Sequence, residues 1–299
     1  MTATWSDLRP DGPEVVALGG GHGLSTTLRA VRTYAGSVTA VVSVADDGGS
    51  TGRLREASER AAPGDLRKCL AALAGHHSLL LDSMEHRFDA GELQGHAFGN
   101  LLIAALEEVS GDLVAALDEV GRLLGAVGRT LPSTTTPVVL HADVEGGAVV
   151  AGQAAVARTT NVHTVRLVPS DAAACPDAVD AILSAEQVIL GPGSLFTSVL
   201  AAASVQGIAE ALVATSAQLV YVCNLRPQEG ETSGFGVADH VSALARHGIR
   251  PNVVLYDPDT MSGAASVAGA IPAAMSIDGG AGHDPALLGA ALARVAVAS

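Results

Sequence analysis

The residues best placed to do chemistry sit in glycine-rich turns. Gly19-Gly20-Gly21-His22-Gly23-Leu24-Ser25 follows the apolar run Val15–Leu18. Four of its first five positions lack a Cβ, so backbone N–H groups there can approach an anion closely. Leu24, Leu28 and Val31 share one face of a following helical pattern, whose unpaired first amides and positive dipole end would face the same spot. The pattern predicts a strand, loop and helix that cradle a phosphate, and an ordinary glycine-rich turn has the same spelling. Leu24 stands where a dinucleotide G-x-G-x-x-G would have its last glycine, and no Gly-Lys-Ser/Thr closes a P-loop.

Two further strand ends carry candidates. Asp46-Asp47-Gly48-Gly49-Ser50-Thr51-Gly52-Arg53 follows the β-branched run Val38–Ala45. Its paired carboxylates can hold a divalent cation, accept from ribose hydroxyls, or form a solvated turn. Beside a phosphate loop they gain a metal role, because Mg²⁺ favours one or two carboxylates plus phosphate oxygens; Asp46 and Asp47 are the candidates, with Gly49, Ser50 and Arg53 as nearby ligand contacts. Gly191-Pro192-Gly193-Ser194-Leu195 repeats the glycine turn, with Ser194 expected to cap the next helix. Asp65 is expected to cap a helix opening at Pro63, Arg67 to reach a phosphate or pair with an acid, and Asn100 and Asn224 to lie at element ends on the ligand side. No H-E-x-x-H, zinc-type Cys/His set or G-x-S-x-G elbow is present, so Ser25, Ser50 and Ser194 read as phosphate binders rather than nucleophiles.

The elements that must position these residues alternate as strand and helix. The pattern predicts a Rossmann-like three-layer α/β fold with a mostly parallel sheet. Residues 1–13 read as a lead and 14–299 as a single domain, with a mostly helical insert over about 65–131. In it Phe98, Leu101, Leu102, Ala105 and Val109 form one stripe and Leu113, Leu117, Val120 and Leu124 another. A β-hairpin is expected from Val138 to Gln153, a strand of the resumed parallel alternation at Val162–Val168, and a final helix at Pro285–Val297.

The 299 residues carry a net charge of −14, which argues against nucleic-acid and anionic-membrane partners. Cys69, Cys175 and Cys223 are scattered in apolar contexts, the pattern of reduced, buried thiols in a cytoplasmic protein. No apolar stretch reaches spanning length uninterrupted, so no membrane insertion is expected.

Six stretches in order resemble the YvcK-like gluconeogenesis factors of the CofD-like superfamily, relatives of 2-phospho-L-lactate transferase. They are Gly19–Ser25, Val44–Leu54, Pro63–Arg67, Gly95–Asn100, Gly191–Ser198 and Gly230–Thr232. The resemblance implies a nucleotide ligand, a UDP-sugar such as UDP-N-acetylglucosamine, and a regulatory role in cell shape and envelope synthesis during gluconeogenic growth. It implies a Mg²⁺ role for Asp46 and Asp47 without implying catalysis, and it leaves room for a homodimer or a regulatory protein partner. The alternatives are a Mg²⁺-dependent transferase of the 2-phospho-L-lactate type and, more remotely, an NAD-dependent dehydrogenase. The chain departs from the family pattern at His22, where threonine is common, and in Leu225–Glu229.

Overall fold

The computed structural model describes residues 8–48, 61–277 and 279–296. Strand β1 (Glu14–Gly19) is buried along its length after Glu14. It runs into helix α1 (Gly21–Val31), whose Leu24, Leu28 and Val31 are buried as their spacing predicts, each worth ~1.5–3 kcal/mol of apolar burial. Strand β2 (Ser37–Val42) follows, then helices α2 (Pro63–Leu73), α3 (Leu79–Glu85), α4 (Phe98–Ser110) and α5 (Leu113–Leu123), and strand β3 (Arg129–Pro132). Next come β4 (Val139–Val144), β5 (Val149–Ala151), the short helix α6 (Gln153–Val156), β6 (Val162–Val168), α7 (Pro176–Ser184) and β7 (Gln187–Leu190). A π-helical turn at Leu195–Val199 leads into α8 (Leu200–Ala203) and α9 (Gln206–Ala214). The chain closes with β8 (Gln218–Val222), α10 (Val237–Arg246), β9 (Val253–Tyr256), β10 (Ala270–Pro272) and α11 (Pro285–Ala296).

Seven strands form one parallel sheet in the order β10-β9-β8-β7-β1-β2-β3. Both faces are covered, which is why β1, β7 and β8 read as unbroken apolar runs rather than alternating ones. From β1 the order grows outward to β2 and β3 on one side and from β7 to β8, β9 and β10 on the other. The strand order therefore reverses between β1 and β7, and a crevice opens at their carboxyl ends. Among the described residues no single helix is long and apolar enough to cross a membrane.

Three expectations change. Val162–Val168 does not enter the parallel sheet: β6 pairs antiparallel with β4, which also pairs with β5, in a separate three-stranded sheet. From Val165 to Val168 its residues alternate buried and exposed, the period-two pattern of a one-sided antiparallel strand; a register shift at Asp143/Val144 leaves Val162 buried three residues before Val165. The helical stretch closes earlier than 131, because Arg129–Pro132 is the edge strand beside β2. On α4 the buried residues are Gly99, Asn100 and Ile103, while Val109 is 89 % exposed. Arg67 sets that face: a Cβ on Gly99 would lie 2.7 Å from its Cδ. The second stripe holds, with Leu113, Leu117, Val120 and Leu124 buried, and all three cysteines are buried and unpaired.

Candidate functional site

The first glycine turn lies in this crevice, wedged between two neighbours. Gly23 backs onto the second turn, where a Cβ would lie 2.1 Å from the Pro192 carbonyl oxygen. Gly20 backs onto α2, where a Cβ would lie 2.6 Å from Asp65 Oδ2. Thr27 ties the turns together from below, its hydroxyl 2.9 Å from the Gly191 carbonyl and 3.2 Å from that of Gly23. Helix α1 then starts at Gly21 with no side-chain cap and no acidic residue in its first turn. Its N-terminal amides face the crevice without a carboxylate of the helix's own to satisfy them. Leu24 and Leu195 point into the core, so only their backbones are available to a ligand. The Ser25 hydroxyl is turned back on the Gly21 and Lys68 carbonyls, at 3.1 and 3.3 Å.

A cavity of about 290 Å³ opens in front of α1, bordered by Gly20, His22, Asp46, Asp65, Ser194 and Gln228. The two adjacent carboxylates part company there. Asp46 stays at the cavity and accepts from Gly48 N at 3.0 Å. Asp47 accepts from Ala154 N at 2.9 Å, in the first turn of α6. Asp65 is the third residue of α2 rather than its cap: Ala62 holds that position, Pro63 starts the helix, and the Asp65 carboxylate takes Lys68 Nζ at 2.9 Å instead. Among the described residues no three His, Cys, Asp or Glu side chains gather as a metal cluster. The donor set at the cavity, Asp46 with Asp65, is one that suits Mg²⁺ only when phosphate oxygens complete it. Gly49, Ser50 and Arg53 lie outside the described residues.

The second turn is held by the segment after β8. Asn224 Oδ1 accepts from Gly193 N at 3.0 Å, Gln228 Nε2 donates to Ser194 Oγ at 3.1 Å, and Glu231 Oε2 accepts from Thr197 N at 3.1 Å. Ser194 therefore does not cap the helix it precedes; Glu231 supplies the carboxylate from 34 residues away. Glu231 is 2 % exposed, and burial pushes its carboxyl up to about 7 against the opposing pull of the Thr197 amide. A second cavity of about 330 Å³ lies on this side, between Pro192, Asn224, Arg226 and the Gly280–His283 segment.

Arg67 and Asn100 are joined to one another one layer back. Arg67 Nε donates to Asn100 Oδ1 at 3.0 Å, and its guanidinium also meets the Met84 carbonyl at 3.1 Å and Glu85 at 2.5 Å. This buried arginine braces α2 against α3 and α4, away from the turn itself. Sequence reasoning assigned no ligand role to Lys68, Gln153, Ser198 or Gln228, which border the cavity, nor to the Gly280–His283 segment. The available signals were Lys68 as the chain's single lysine, Ser198 at the end of the Gly191–Ser198 stretch and Gln228 in the polar stretch Gln228–Thr232.

An open parallel sheet with a glycine turn and an uncapped helix at its switch point defines a Rossmann-like α/β protein. The model of the family described as 2-phospho-L-lactate transferase CofD matches residues 15–267, and the chain belongs to that family. A relative from Mycobacterium tuberculosis is 49 % identical over 255 residues, covering 81 % of this chain and 74 % of its own. The gluconeogenesis factor of Bacillus subtilis is 41 % identical over 237 residues, covering 79 % and 75 %. A crystal structure of a UPF0052 family member from Bacillus halodurans superposes with a TM-score of 0.88 at 32 % identity, covering 96 % of this chain and 99 % of that one.

Proposed function

We propose that the chain is a nucleotide-binding regulatory protein, a gluconeogenesis factor like its named relatives, and that its ligand is a UDP-sugar whose phosphates sit at the start of α1. The observation that carries this reading is the uncapped N-terminus of α1 facing a 290 Å³ cavity at the switch point. Backbone amides and the helix dipole favour an anion at such a place. The resemblance to YvcK-like proteins supplies the sugar nucleotide, UDP-N-acetylglucosamine being the first to test, and the role in cell shape under gluconeogenic growth.

Asp46 and Asp65 beside the same cavity favour a second reading, a transferase in which Mg²⁺ completed by diphosphate oxygens orients the donor. Calorimetric titration with UDP-N-acetylglucosamine, GDP and NAD, with and without Mg²⁺, separates the two. UDP-sugar binding that persists without Mg²⁺, with no release of UDP or sugar on incubation, supports the regulatory reading. GDP binding that needs Mg²⁺ and disappears in Asp46→Asn moves the assignment to a transferase. Silence with all three nucleotides defeats both.

A further inference from the structure

A long groove of about 790 Å³ opens off the same turn. Its floor is His22, Ser25 and Arg29 of α1 with Arg32 and Thr33 just past its end, and its walls are α2, α3 and the first residues of α11. This is the size of a small-molecule pocket. His22 and Lys68 border both the groove and the 290 Å³ cavity, so the two meet at the start of α1.

The charges along the groove are unevenly spent. Glu85 is paired with Arg67 and Lys68 holds Asp65 at 2.9 Å, while Asp82 lies 3.0 Å from the His77 ring, an ion pair only when that imidazole is protonated. Arg32 is buried and donates to the Ala72 and Ala74 carbonyls at 3.0 and 2.8 Å. Arg29 lines the groove, is exposed, and has no hydrogen-bond or ion-pair partner among the described residues. This leaves Arg29 as a cation with no bonded partner among the described residues, roughly 10 Å along α1 from His22, in a groove whose other wall carries Asp82.

Resting on the nucleotide reading above, we propose that the groove receives the group attached to the nucleotide's terminal phosphate, and that Arg29 selects a negatively charged one, a sugar carboxylate of the uronic-acid type. A phosphate at the start of α1 leaves its substituent the groove as the larger exit, and a guanidinium pairs with a carboxylate through two parallel N–H donors.

The test is calorimetric titration of the full chain with UDP, UDP-N-acetylglucosamine and UDP-glucuronate. The wild type is expected to bind UDP-glucuronate about tenfold more tightly than UDP-N-acetylglucosamine, the ratio one charge-assisted contact supplies. That ratio falls to near one in Arg29→Ala and is largely kept in Arg29→Lys; the side chain is on the surface, and circular dichroism confirms the variants' fold. A ratio near one in the wild type, or a preference that survives Arg29→Ala, overturns the proposal while UDP binding stands. No binding of any of the three, UDP included, overturns the nucleotide reading and this proposal with it.

Discussion

The two glycine turns at the centre of the sheet begin alike and end differently. Each follows a buried parallel strand, each touches the other through Gly23 and Pro192, and each leads into a helix. The first opens α1 with bare amides. The second opens a π-helical turn whose Thr197 amide is already taken by the buried Glu231 carboxylate. A glycine-rich strand end thus specifies only that something can come close to the backbone. What comes close is decided elsewhere in the chain: at the second turn Glu231 bonds the Thr197 amide, whereas the Asp65 carboxylate beside the first is held by Lys68 and no side chain caps α1, the place where the proposed ligand's phosphate would sit.

The largest test of that contrast is Glu231→Gln. Burial raises the Glu231 carboxyl from 4.5 to about 7. Between those values the folded chain keeps a proton that the unfolded chain has released, so this group's contribution to stability is full below pH 4.5 and declines as pH rises to about 7. The loss is about 3 kcal/mol, at roughly 1.4 kcal/mol per pH unit. Glutamine does not titrate. Urea unfolding should show the variant's stability relative to wild type climbing by that amount from pH 4.5 to 7 and staying level above. Parallel profiles for the two proteins would mean that the pull of the Thr197 amide cancels the effect of burial and that Glu231 is held as an ordinary carboxylate.

The contact between the turns is tested next. Gly23→Ala drives a Cβ into the Pro192 carbonyl at 2.1 Å, where backbone must shift, and should cost about 3 kcal/mol or more in urea unfolding. Gly21→Ala meets nothing nearer than Asp65 at 4.0 Å, so it bears only the left-handed backbone cost at φ +64, about 1–2 kcal/mol. Equal losses would show that the wedge at Gly23 relaxes freely and that the turns do not depend on each other's shape.

How much of this was legible in the sequence follows from how local each determinant is. The first turn, the stripe of α1 and the parallel core strands are written in adjacent residues, and the structure places them as read. Glu231 stood out only within the Gly230–Thr232 stretch of the family resemblance, with no role assigned to it, because its partner Thr197 is 34 positions away and no periodicity links them. Ser194 and Asp65 were assigned as caps by residue type; packing gave them Gln228 and Lys68 as partners instead. Asp46 and Asp47 are neighbours in sequence, yet successive side chains of extended chain point opposite ways, and the pair is split between the cavity and the start of α6. The one-sided character of β6 shows only in the alternation of Val165, Arg166 and Leu167, because the register shift before them hides it and the strand reads as part of the parallel sheet; the Asn100 face of α4 was not legible either, since it depends on an arginine from another helix.

The smallest stability effect carries the sharpest test of the comparison. His22→Asp places in the first turn of α1 the kind of carboxylate that the second turn borrows from Glu231. His22 is exposed, so the change disturbs no packing, and an acid beside bare helix amides stabilises by about 0.3–1 kcal/mol. The same carboxylate would sit where the proposed ligand's phosphate belongs, and its repulsion should weaken UDP-N-acetylglucosamine binding by about tenfold, or ~1.4 kcal/mol. A loop that merely turns the chain would gain the stability and lose nothing. A loop left open for an anion should move the two measurements in opposite directions, and the binding loss should shrink as salt screens the added charge. Stability and affinity that rise or fall together would remove the distinction between the two turns on which the proposed function rests.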